Sequence, residues 1–95
     1  MHAAALTVEL RVPLSHSLKD KRAVIRPILD GSRHRFGVAA AEVGGQDRWQ
    51  VSELAFSAVA SSAGHVEEVL ASVERFVWSF PEVEVLACTL HWWGA

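Results

Sequence analysis

The hydrophobic period of this 95-residue chain switches from two to about 3.6 and back, twice over, and that order constrains the fold more than any single motif. Leu6, Val8, Leu10 and Val12 alternate with Thr7, Glu9 and Arg11, which predicts a strand over residues 3–12 with one buried face. Pro13 closes it. Ser17 followed by Asp20 is a capping signal, so a helix is expected from Leu18, with an apolar stripe of Leu18, Ile25, Leu29, Ser32 and Phe36 and with Val24 and Ile28 beside it. Lys19, Arg22, Arg26 and Arg33 occupy the opposite face. Pro27 and Gly31 oppose this helix, at about 3 and 1 kcal/mol. The apolar period continues through the proline, which favours a kink between Ala23 and Pro27 over a second helix starting at Pro27.

Gly37 ends the first helix, and residues 38–43 predict a short strand. Gly44, Gly45, Gln46 and Asp47 form a turn into residues 48–61, where Leu54, Phe56 and Ala58 alternate with Glu53, Ala55 and Ser57. From Gly64, the residues Val66, Val69, Leu70, Val73, Val77 and Phe80 follow helical spacing, with Glu67 and Glu68 expected in the first turn and Pro81 as the stop. Over residues 83–93, Leu86, Cys88, Leu90 and Trp92 point inward against Ala87, Thr89 and His91. The predicted fold is α+β, a ferredoxin-like βαββαβ sandwich in which a four-stranded antiparallel sheet carries both helices on one face, in a single domain over residues 1–95.

Length and composition narrow the function. With 95 residues, 51% hydrophobic and 21% charged, the chain builds one modest core and has no room for an interdomain cleft. One cysteine excludes an internal disulfide, and the five histidines lack zinc-site spacing, so neither metal nor cofactor is expected. The N-terminal MHAAALTVELRV has no basic n-region, and residues 85–95, a long uncharged run, fall well short of the roughly 20 that a spanning helix needs. A cytoplasmic protein with no membrane partner is expected.

Catalytic groupings are absent from the pattern. Cys88 and His91, three apart on a strand, face opposite sides, and Cys88 reads as a small core residue. Ser15, His16 and Ser17 are adjacent without an acidic orienter. Glu82 and Glu84 read as a charged strand edge, and Gly44 and Gly45 as turn residues rather than a phosphate cradle. A non-enzymatic protein is expected.

Charge is distributed unevenly. Residues 13–36 hold six basic and two acidic residues, a net +4, whereas residues 37–95 hold two basic and eight acidic, a net −6. Lys19, Lys21, Arg22, Arg26, Arg33 and Arg35 are therefore candidate contacts to an RNA backbone, against the alternative of an ordinary solvated helix face. The outward sheet face is predicted to carry Thr7, Glu9, Arg11, Ala39, Ala41, Ala55, Ser57, Val59, Ala87, Thr89, His91 and Trp93. It lacks the central-strand aromatics that stack bases in RNA-recognition domains. Its small apolar residues point to a partly dry surface, with Arg11, Ala55, Ser57, Val59, Thr89, His91 and Trp93 as candidate contacts to a protein partner or a second copy. Of the other tryptophans, Trp92 is expected in the core and Trp78 half exposed.

The segments SLKDKR, RHRFGV, AEVGGQDRWQ, HVEEVL and PEVEVL, in that order, resemble the YlxP-like family of small bacterial proteins over nearly the whole chain. The matching positions are Ser17, Leu18, Lys19, Lys21 and Arg22, then Arg35 and Phe36, then Glu42, Val43, Gly44, Gln46, Asp47, Trp49 and Gln50. The resemblance implies the same ferredoxin-like fold. Proteins similar to this one are commonly encoded beside transcription-elongation, translation-initiation and ribosome-binding factors, which implies a part in ribosome maturation or translation with RNA or a ribosomal subunit as partner. It supplies no catalytic residue. Pro27, Gly31 and the LHWWGA tail depart from the family pattern.

Lys19, Lys21 and Arg22 stand at a helix start, where the dipole disfavours cations, so an anion is expected nearby. Phosphate is one source; the other is Asp20 and a carboxylate such as Glu42 or Glu53. For residues 46–50 the expectation is an Asp-mediated turn anchored by a packed Trp49, in preference to a binding loop.

Overall fold

Period-two and period-3.6 segments settle into six elements in the computed structural model, which describes residues 1–93. These are β1 (His2–Arg11), α1 (Leu18–Phe36), β2 (Ala39–Gly44), β3 (Val51–Ala60), α2 (Ala63–Trp78) and β4 (Glu84–Trp93). All pairings are antiparallel and the sheet order is β2-β3-β1-β4, a ferredoxin-like α+β fold. Gly94 and Ala95, the end of the LHWWGA tail, lie outside the described residues.

The core forms where the two periods meet. Ala4, Leu6, Val8 and Leu10 of β1 and Leu54 and Phe56 of β3 are buried against Ile25 and Ile28 of α1 and Val66, Leu70, Val73 and Val77 of α2. Each large side chain buried this way contributes roughly 1.5–3 kcal/mol.

Ser17 caps α1, its hydroxyl accepting from the Asp20 N–H at 3.0 Å, while the Asp20 carboxylate accepts from the His16 N–H at 3.1 Å. At the other end Gly37 adopts φ +67° and donates to the Arg33 carbonyl. Between them α1 is one helix running through Pro27. Both Pro27 and Ala23, whose carbonyl loses its helical donor, lie on the exposed face, where water can satisfy that oxygen. Gly31 faces α2: a Cβ there would stand 2.6 Å from Phe76 Cζ. Phe76 is itself held edge-on between Phe36 and Phe80, at centroid distances of 5.7 and 5.1 Å. Gly31 thus leaves the space that the Phe76 ring fills between the helices.

Four local expectations are corrected. Helix α2 begins at Ala63 with Ser62 as its cap, so Glu67 and Glu68 fall in the second turn, beyond the strongest field of the helix N-terminus. In β4 a bulge opposite Glu9 and Leu10 pairs Leu10 with Val85, turning Val85 inward and leaving Leu86 51% exposed, the reverse of the simple alternation. Trp92 shares the helix-side face with Leu90 and Cys88, but β4 is an edge strand that the helices only partly cover, so Trp92 is 42% exposed rather than core. Strand β3 starts at Val51, leaving residues 45–50 as a loop in which Gly45 has φ +73° and accepts from the Arg48 N–H.

Candidate nucleic-acid interface

Lys21 lies on the buried stripe of α1 with Ile25, Ile28 and Ser32, and its side chain is 1% exposed. Its ammonium donates to the Gly45 carbonyl at 2.6 Å and the Val51 carbonyl at 3.2 Å, and it stands 2.8 Å from Glu42 Oε2. Glu42 also accepts from the Ser52 hydroxyl at 2.7 Å. Lys21 is therefore no phosphate contact: β2, β3 and the loop between them close over it, and the carboxylate alternative holds for this residue, with Glu42 as the anion. The sequence carried a signal for it, since residues 21, 25, 28 and 32 follow steps of four, three and four, the helix-face spacing.

The loop at residues 45–50 owes its position to Lys21 and to Gln50, whose carboxamide donates to the Pro13 and Ser15 carbonyls at 3.2 and 3.1 Å. Its backbone carbonyl accepts from the Val12 N–H at 2.8 Å. Trp49 does not anchor the turn as expected; it is 54% exposed. Of the resembling positions in SLKDKR and AEVGGQDRWQ, Lys21, Glu42 and Gln50 thus serve one latch between the start of α1 and the β2–β3 connection.

The remaining cations divide sharply. Arg33 binds Asp30 at 2.8 Å and donates to the Ala40 carbonyl of edge strand β2, which blunts that edge. Arg35 lies over the Phe36 and Phe76 rings, at 5.6 and 5.0 Å from their centroids. Lys19, Arg22 and Arg26 are exposed and make no ion pair or side-chain hydrogen bond among the described residues. Steps of three and four place them on one stripe about 10 Å long. With Ala23, Pro27 and Asp30 they line a shallow open depression that does not enclose a small molecule.

On the opposite face of the sheet, Arg11 is engaged by Glu84 at 3.3 Å, and His91 Nε2 lies 3.1 Å from the Thr7 hydroxyl. Val59, Trp93, Thr89 and His91 are exposed there, with Ala55 and Ser57 half-buried. Cys88 is half-buried on the helix side, and burial, then the nearby Glu74 carboxylate, pushes its thiol above the ordinary range, which suppresses the thiolate. No group of three His, Cys, Asp or Glu able to hold a metal occurs among the described residues, and no described helix is long and apolar enough to cross a membrane.

A family model described as "Protein of unknown function (DUF503)" matches residues 3–90. The uncharacterized protein YlxP of Bacillus subtilis (strain 168) is 41% identical over 76 residues, which is 80% of this chain and 83% of that protein.

Proposed function

The chain belongs to the DUF503 family of proteins of unknown function, and from that premise we propose that it is a non-enzymatic, cytoplasmic RNA-associated accessory protein of ribosome maturation or translation. It contacts phosphates through the outer face of α1. The observation that supports this reading is the stripe of Lys19, Arg22 and Arg26, three exposed cations on the first half of α1 with no carboxylate partner among the described residues, on a chain whose other cations are mostly engaged. Helix stability does not explain Lys19, because the dipole disfavours positive charge in the first turn, and Arg22 and Arg26, beyond that field, gain nothing from it either. A flat cationic stripe gives salt-sensitive affinity for the phosphate backbone with little base selectivity.

The test is co-sedimentation with separated ribosomal subunits over a salt series, comparing the wild type with a Lys19, Arg22 and Arg26 triple alanine variant. Saturable binding by the wild type, lost in the variant, is expected. A wild type that stays in the supernatant at low salt, or a variant that binds equally well, overturns the reading. Lys21 is left intact in this design because its removal perturbs folding rather than the surface.

A further inference from the structure

We propose that the open face of the sheet is a homodimer interface, in which two copies pack face to face about a two-fold axis parallel to the strands.

The register makes the face self-complementary in size. At successive levels along the strands it reads, from β2 to β4, Ala39–Ser57–Ala5–His91 and Ala41–Ala55–Thr7–Thr89, with Val59–Ala3–Trp93 at the level where β2 has ended. Small side chains thus line the β2 side, and the bulky His91 and Trp93 line the β4 side. A two-fold along the strands sets β4 of one copy over β2 of the other. His91 then meets Ala39, and Trp93 fills the space beside Val59 that the short β2 leaves empty. Trp93 and Val59 are 57% and 65% exposed without a partner. The other two-fold in the sheet plane, across the strands, would set Trp93 over the Glu9 level and Val59 over Glu53, burying carboxylates against apolar groups.

The charges on the face argue against other occupants. Its arginine, Arg11, is engaged by Glu84, while Glu9 and Glu53 face each other across β1 and β3. Arg48 lines the same depression as these two glutamates, but with Glu84 and Asp47 that end stays net acidic, which disfavours nucleic acid and anionic lipid alike. In the dimer the same carboxylates gather at one end, so the sheets diverge there and admit water, closing at the Val59 and Trp93 end. Three ten-residue strands and the six-residue β2, at about 3.3 Å per residue and about 4.8 Å apart, give a flat footprint of at most roughly 600 Å² per copy. This is the low end for a specific interface, near 800 Å² per partner, and it predicts a reversible, concentration-dependent dimer.

Sedimentation equilibrium of the full chain, from low micromolar to millimolar protein and at low and high salt, tests the proposal. The wild type is expected to dimerise, and more tightly at high salt, because salt screens the four gathered glutamates. That dependence is opposite in sign to phosphate binding by α1, so the two readings fail separately. Ala41→Arg is expected to raise the dimer dissociation constant by about 100-fold, a change of about 2.7 kcal/mol. Ala41→Ser leaves it unchanged, and matching thermal melts establish that both variants fold. A wild type that is monomeric at millimolar concentration overturns the proposal, as does an Ala41→Arg variant that dimerises as the wild type does.

Discussion

The Lys21 ammonium and the Glu42 carboxylate, 2.8 Å apart beneath the loop at residues 45–50, tie the first helix to the β2–β3 hairpin, with Lys21 withdrawn from solvent to 1% exposure. The pair is not isolated: two backbone carbonyls and the Ser52 hydroxyl complete it. Such completion is what makes a buried ion pair tolerable, since Coulombic attraction alone does not repay desolvation. Lys21→Ala strands Glu42 and both carbonyls, and is expected to cost about 3–5 kcal/mol. Glu42→Gln keeps an acceptor for Ser52 and leaves Lys21 its carbonyls, so a smaller loss of about 1–2 kcal/mol is expected. Urea titrations followed by tryptophan fluorescence measure both. Equal losses would mean that the carbonyls contribute nothing beyond the ion pair.

The Gly31 contact sets two effects against each other. Gly31→Ala gains about 1 kcal/mol of helix propensity, but its methyl would lie 2.6 Å from Phe76 Cζ. Phe76 cannot swing aside without breaking its edge-on contacts with Phe36 and Phe80, and overpacking of this kind costs about 1–3 kcal/mol. The variant is therefore expected to melt lower than the wild type, despite the better helix former. Differential scanning calorimetry gives the sign directly. A higher melting temperature would show that the helices part at little cost.

Ser32 is fully buried on the same helix, and its hydroxyl has no hydrogen-bond partner among the described residues. A desolvated, unpaired hydroxyl costs about 1–3 kcal/mol, and alanine is also the better helix former. Ser32→Ala is thus expected to stabilise the protein by about 1 kcal/mol in the same urea assay. A loss instead would reveal that the hydroxyl is satisfied in solution.

Legibility of the sequence followed the strength of each periodic signal. The β1 alternation and the Val66, Leu70, Val73, Val77 stripe were readable because apolar and polar residues separate cleanly, and the connectivity then followed from the order of elements. The bulge was not: Val85, Leu86 and Ala87 are all apolar, so no contrast marks which side chain turns inward. Lys21 was hidden by the expectation that lysine is solvated, although its spacing to Ile25 and Ile28 placed it on the buried stripe. Trp49 failed in the opposite direction, a large apolar residue left outside because Gln50 and Lys21 already hold its loop. At the candidate interface the three outer cations were legible as a face. Which of the six cations were already engaged depended on contacts with residues far along the chain, such as Arg35 over Phe76.

That division of the cations gives the sharpest prediction for RNA binding. If phosphates meet the outer stripe of α1, each of Lys19→Ala, Arg22→Ala and Arg26→Ala lowers the slope of log Kd against log salt by about 0.7, the single-strand value per contact, and the triple variant by about 2. Arg33→Ala and Arg35→Ala leave the slope unchanged, because those side chains are committed to Asp30, Ala40 and the Phe76 ring. Fluorescence-anisotropy titrations of a single-stranded RNA across a salt series supply the slopes. Loss confined to Arg33 and Arg35 would move the contact to the far end of α1, and uniform small losses at all five positions would mark a diffuse electrostatic attraction with no defined face.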